Sequence, residues 1–140
     1  DLSGATNIRA DFTSKKLFII SSSNAWIKSF KLKADPNGKR TENSSDLQSS
    51  ISGTATTLVS PIDIAVTATE IYVLDSDKIL VFNKTDEGSI APKRTIVGVN
   101  TTLSETQKIE INSNNEIEVT NGNDSKVIFS LTANGNVSPL

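Results

Sequence analysis

The chain has 140 residues, a formal charge of -2 and a pI near 5.1, which gives no general field for drawing in nucleic acid or an anionic membrane. It contains no Cys, excluding disulfides, thiolate catalysis and Cys-bound zinc, and no His, removing the usual general base and the commonest metal ligand. Apolar residues make up 36%, the balance is rich in Ser, Thr and Asn, and no run approaches the ~18 apolar residues of a membrane helix.

In chain order, the apolar segments are all strand-sized. Ile8, Ala10 and Phe12 alternate, Leu17 to Ile20 is continuous, and Trp26-Ile27-Lys28-Ser29-Phe30 follows. A polar insertion from Asp35 to Ser50 stretches the next segment and reads as a solvent loop. After Gly53 come four predicted strands: Ile62 to Val66, Ile71 to Leu74, Ile79 to Phe82 and Arg94 to Val97. In the first of these, Ile62, Ile64 and Val66 point one way and Asp63 and Ala65 the other. The second and third are nearly unbroken apolar runs, the pattern of strands buried on both faces. Asp75-Ser76-Asp77, Asp86-Glu87-Gly88, Asn121-Gly122-Asn123 and Asn134-Gly135-Asn136 carry turn chemistry between them. No segment has a helical apolar period.

The segments repeat with a period near 45 residues. Gly53, Thr56, Thr57 and Leu58 match Gly98, Thr101, Thr102 and Leu103, and Ile64 and Val66 match Ile109 and Ile111. One residue later in phase, Glu70-Ile71-Tyr72-Val73 meets Glu116-Ile117-Glu118-Val119; after another, Phe82 meets Phe129 and Gly88 to Pro92 meets Gly135 to Pro139. Four short strands per ~40–50 residues make a β-propeller blade, a small sheet that hides its two apolar faces only when flanked by other blades. The predicted fold is therefore all-β: a partial propeller of about three four-stranded blades. Residues 1–60 form a divergent blade with the insertion, 61–105 a second, and 106–140 an incomplete third. Rings close with 4–8 blades, so the chain is expected to be a segment of a longer propeller or one that associates with further copies, leaving its outermost apolar faces exposed. It starts at Asp1 rather than Met, as a processed or excised chain would.

The run Gly88-Ser89-Ile90-Ala91-Pro92-Lys93-Arg94-Thr95-Ile96-Val97-Gly98, followed by Thr102-Leu103-Ser104, resembles the repeat of bacterial NHL-type and lactonase-like propellers, of the form G-N-x-A-P-x-R-T-I-x-G then T-x-L. Pro61 to Val66 and Ile71-Tyr72-Val73-Leu74-Asp75 are similar to the strands that follow it, and Asn134 to Leu140 to its restart. Thr106 departs from it, standing where the pattern prefers Pro. The resemblance implies a propeller. It also implies an alternative function, a fragment of a lactonase-like or sugar-acid hydrolase whose catalytic residues lie outside this segment.

Candidate sites are few. Asp63, Asp75 and Asp77 could converge as oxygen ligands for calcium, but their spacing lacks the further ligands and glycine of a calcium loop, and Asp is a common turn residue. Glu70 and Glu116 recur just before a strand and read as solvated turn residues. Ile64, Ile109 and Ala10 are placed on the channel-facing strand, where no repeated acid stands. Trp26 reads as a blade-packing residue rather than a stacking platform for bases. The basic residues Lys15-Lys16, Lys31, Lys33, Lys39-Arg40 and Lys93-Arg94 are interleaved with acids, so no nucleic acid is expected. Asn43, Asn83, Asn100, Asn123 and Asn136 lie in Asn-x-Ser/Thr triplets open to glycan attachment on an exported chain. No catalytic, cofactor-binding or metal-binding residue is assigned and no cofactor is expected. The expected function is a non-enzymatic protein-binding or structural module, partnered by protein or by further blades, working outside the cytoplasm at a cell surface, in a periplasm or in an extracellular assembly.

Overall fold

The computed structural model describes residues 1–32 and 46–140. Segments rich in Val, Ile and Thr pair into three antiparallel sheets. β1 (Ala5–Asp11), β2 (Lys16–Ser21), β3 (Trp26–Lys31) and β4 (Leu47–Ser52) form the first in sequence order. β5 (Pro61–Val66), β6 (Glu70–Asp75), β7 (Lys78–Asn83) and β8 (Arg94–Ile96) form the second, and β9 (Lys108–Ile111), β10 (Ile117–Thr120) and β11 (Lys126–Phe129) the third. The first strands β1, β5 and β9 lie side by side, and each sheet fans outward from them. The chain folds as three blades of a β-propeller, and among the described residues the third blade has three strands.

Two apolar cores lie between the blades. Phe18, Ile20, Ile27 and Ile51 of the first blade pack on Ile64, Ile71, Val73, Leu80 and Phe82 of the second. The other face of the second blade supplies Tyr72, Leu74, Ile79, Val81 and Ile96, packed on Ile109, Ile117, Val119, Val127 and Phe129 of the third. All six residues of β6 are buried, because a middle blade has neighbours on both sides. At ~25 cal/mol per Å2 of apolar surface, each fully buried Leu, Ile or Phe contributes roughly 1.5–3 kcal/mol, so these two seams hold the fan together.

Two expectations are modified. Leu47 to Ser50 belong to strand β4 rather than to a loop, with the Ser29 and Ser49 hydroxyls bonded at 2.6 Å inside the sheet; residues 35–45 of the polar insertion lie outside the described residues. The outermost faces are only partly exposed and only partly apolar. On the first blade Ile8 and Phe12 are exposed, whereas Leu17, Ile19 and Trp26 are buried together, with the Lys28 ammonium 4.4 Å from the Trp26 ring. On the third blade the outward positions are largely charged.

The glycines matched at a separation of 45 have a common cause. Gly53 and Gly98 have φ of 109° and 127°, each opening a short 3-10 turn, Thr54–Thr56 and Val99–Thr101. The Thr56 and Thr101 hydroxyls donate to the Gly53 and Gly98 carbonyls at 2.7 Å in both copies. A Cβ on Gly53 would meet Ser89 Oγ at 2.6 Å, and one on Gly98 would meet Asn136 Oδ1 at 2.4 Å. Both the backbone conformation and the side chain docked on it therefore demand glycine. Gly98→Ala is expected to lower the unfolding free energy by about 1–3 kcal/mol. Because Asn136 also accepts from the Asn100 amide, Gly98→Ala should cost less in an Asn136→Gly background than in wild type, by the steric part, measured by urea denaturation of both single variants and the double variant.

Candidate functional site

The polar residues gather at the seams between blades. On the inner strands, Asn7 Nδ2 donates to Asp63 Oδ1 at 2.8 Å and Arg9 Nε to the Ile64 carbonyl at 2.9 Å, joining the first blade to the second. Asp63 accepts from the Ile64 amide through Oδ1 and from the Ile109 amide, on the third blade, through Oδ2 at 2.9 Å. Arg9 lies 3.6 Å from the same carboxylate. Asn7 repeats the local geometry, its Oδ1 accepting from the Ile8 amide. Both residues sit at a bulge in a first strand, which turns the side chain toward the next blade.

At the end of the first strands, buried Lys84 of the second blade bonds Asp11 of the first and the Thr67 carbonyl, the latter at 3.0 Å. Burial opposes ionisation of Asp11 and is the largest single influence on it. Hydrogen bonds from Lys84 and Ser14 together outweigh that influence and bring its pKa down to about 2. Further out, Arg94 grips Glu70 in a fork, Nη1 to Oε1 at 2.9 Å and Nη2 to Oε2 at 2.8 Å, and reaches the Leu131 carbonyl of the third blade at 2.7 Å. Lys93 Nζ and the buried Tyr72 hydroxyl add bonds to Glu70 at 2.8 and 2.6 Å. The Arg94 bonds lead in holding the Glu70 carboxyl well below the usual range, against burial; burial, then Glu70, pushes the Tyr72 hydroxyl up. Glu70 is thus a buried anchor, which corrects its reading as a solvated turn residue. Glu116, its counterpart at half-burial, bonds Asn112 Nδ2 at 3.0 Å.

The three aspartates considered as calcium ligands have separate roles. Asp63 holds the inner seam, Asp75 accepts from the Val59 and Ser60 amides at 2.9 and 2.6 Å, and Asp77 accepts weakly from the Thr106 amide at 3.4 Å. Among the described residues no three His, Cys, Asp or Glu side chains gather closely enough to hold a metal ion. Thr106 is the departure from the repeat pattern, and it donates its amide to Asp77 and its hydroxyl to the Ser76 carbonyl. A proline there would lack both donors.

The repeat motif itself is an outer clasp. The Gly88 amide donates to the Ser50 carbonyl at 2.8 Å and its carbonyl accepts from Ser52; Gly135 does the same with Thr95 and Val97 at 2.7 and 3.1 Å. Ser89 Oγ accepts from Ala55, and Asn136 Oδ1 from Asn100. Each motif thereby fastens one blade onto the fourth strand of the blade before it.

The inner strands also frame an open concavity of about 390 Å3, lined by Arg9, Asp11, Phe12, Thr13, Ala65 and Val66 with Ala10, Glu110 and Ile111. Ile64, Ile109 and Ala10 sit on the inner strands β5, β9 and β1 as expected; Ala10 lines the concavity, Ile64 and Ile109 are buried in the seams, and the acids Asp11 and Glu110 stand at the opening. Arg9, Asp11 and Lys84 gave no local signal, since Asp11 and Lys84 are 73 residues apart and meet only when blades stack. Of the Asn-x-Ser/Thr sites, Asn43 lies outside the described residues, Asn100 and Asn123 are exposed, Asn83 is half-buried against Asp86, and Asn136 carries the clasp to Asn100.

The geometry defines the class, a propeller module with polar clasps at each seam. Solved structures of the same class resemble it over 94% of its length. One is the β-propeller domain of Cps50 (Swd1) from Myceliophteria thermophila, at TM-score 0.58 and 9% identity; another is hydrazine synthase from Kuenenia stuttgartiensis, at TM-score 0.55 and 19% identity. The chain spans 37% of each of those chains. No family model and no curated protein matches its sequence.

The Asp11–Lys84 bond makes stability pH-dependent with a definite sign. The folded pKa of about 2 lies below the ordinary 3.8, so its contribution is complete above pH 3.8 and is lost as the pH falls toward 2. Asp11→Asn should cost about 3 kcal/mol near pH 7, because buried Lys84 loses its partner, and the difference from wild type should shrink between pH 4 and 2. Chemical denaturation of both proteins across that range measures it.

Proposed function

We propose that the chain is a non-enzymatic, protein-binding propeller module of an exported or cell-surface assembly, related in its repeat to the NHL-type and lactonase-like propellers. The observation that carries this reading is the placement of its charged side chains. Asp63, Glu70, Asp75, Arg94, Asp11 and Lys84 all join blade to blade or close a loop within one, which leaves the loops and the concavity for recognition. At the mouth of that concavity Phe12 is 73% exposed beside Arg9 and Thr13, an aromatic and a guanidinium of the kind that anchors protein interfaces. The Ser/Thr/Asn-rich surface and the exposed sequons at Asn100 and Asn123 suit a setting outside the cytoplasm.

The hydrolase reading puts its catalytic residues outside this segment, so the acids within it bear only on a site built here. The acids lining the concavity are Asp11 and Glu110, and the lysines bonded to them, Lys84 and Lys108, favour the carboxylate form of each. A general acid needs the opposite shift.

A photo-reactive residue placed at Phe12 tests the proposal in the extracytoplasmic fraction of the source organism. The expected outcome is a single cross-linked protein whose purified form binds wild type and loses about tenfold affinity or more to Phe12→Ala, with sugar-acid lactones left unhydrolysed with or without calcium. Lactone turnover that depends on a divalent ion would overturn it in favour of the hydrolase.

A further inference from the structure

The middle blade shows what a propeller face needs in order to receive a neighbour. Its face toward the third blade presents Ala65, Tyr72, Leu74, Ile79 and Val81, all buried. The third blade carries the same register on its own outward face, where the repeat separations of 45, 46 and 47 put Glu110, Glu118, Thr120, Lys126 and Ile128 at those positions. The strand pairing sets them in two rows, Lys108–Thr120–Lys126 and Glu110–Glu118–Ile128. Lys126 bonds Glu118 within the face, and Lys108 bonds Glu110 at 2.8 Å. Strand β10 consequently alternates, with Ile117 and Val119 buried and Glu118 and Thr120 half-exposed, whereas β6 is buried throughout.

We infer that the charged outward face of the third blade keeps two copies of this chain from closing head to tail into a six-bladed ring. Head-to-tail closure would press the two Lys–Glu pairs onto the outward side of the first blade, where Ile8 is 55% exposed beside the Leu17, Ile19 and Trp26 cluster. That contact would strip water from four charges and return no new partner, since each is already paired within its own sheet. The inference concerns a different surface from the concavity at Phe12 and does not depend on what binds there.

Amine labelling of the native protein, read residue by residue by mass spectrometry, is the test. Lys93 is the internal standard, being ion-paired and 48% exposed, close to the 55% and 57% of Lys108 and Lys126. Labelling of Lys108 and Lys126 within about threefold of Lys93 is the expected result. Protection of both by tenfold or more would show the face covered and overturn the inference. As a second arm, Glu110→Ala, Glu118→Tyr, Thr120→Leu and Lys126→Ile together give the third blade the face of the second. Light scattering should then show a particle of at least twice the wild-type mass; an unchanged mass for the folded variant would show that the charges are not what keeps the face open.

Discussion

A sheet of four strands, none longer than seven residues, cannot hide an apolar face by itself, so the burial of one blade against the next is the constraint from which the rest of this structure follows. The two seams, one around Ile64 and Phe82 and the other around Tyr72 and Phe129, remove the large side chains from water. Sheet twist and side-chain interdigitation set a broad preferred angle between blades. Direction is supplied at the margins of each seam, where a polar group of one blade meets a backbone group of the next: Asp63 on the Ile109 amide, Arg94 on the Leu131 carbonyl, Gly135 on β8. These bonds tie the apolar faces at one angle and register, and the first of them would leave buried groups of Asp63 and Ile109 unsatisfied if the blades slid apart.

The charged residues follow the same logic. Glu70, Lys84 and Arg94 have little exposure, and each has a partner of opposite sign held by hydrogen bonds. Such a pair adds little net stability compared with an apolar replacement, but losing one member is costly because the other stays buried. A propeller assembled this way tolerates change on its rims and is intolerant at its clasps. Under the binding role proposed above, recognition would fall to the loops and the mouth of the concavity, where Phe12 is exposed.

Much of the fold was legible in the sequence, because burial on both faces writes a continuous apolar run and a repeated loop writes repeated glycines. Ile71 to Leu74 and Gly53 and Gly98 are cases of each. The roles of Glu70, Asp63 and Asp11 were not legible. Their partners Arg94, Ile109 and Lys84 are distant along the chain, and a carboxylate before a strand looks the same whether it meets water or a guanidinium. The charged third blade was visible as Ile117-Glu118-Val119-Thr120 beside Ile71-Tyr72-Val73-Leu74. Its meaning required the register, which shows that all the polar positions share the outward face. The inner strands were legible as the first of each repeat, but alternation says only that the two faces of a strand differ, so the burial of Ile64 and Ile109 in the seams required the structure.

Amide hydrogen exchange on the native protein tests most directly the claim that clasps and seams bind the three blades into one unit. The Ile109 and Gly135 amides donate across blades, to Asp63 and to the Thr95 carbonyl, whereas the Val73 amide lies within the middle sheet. If the blades open only together, Ile109 and Gly135 should exchange within about tenfold of Val73. Exchange faster by several orders of magnitude would show the blades parting from one another while each sheet stays intact, contradicting the account.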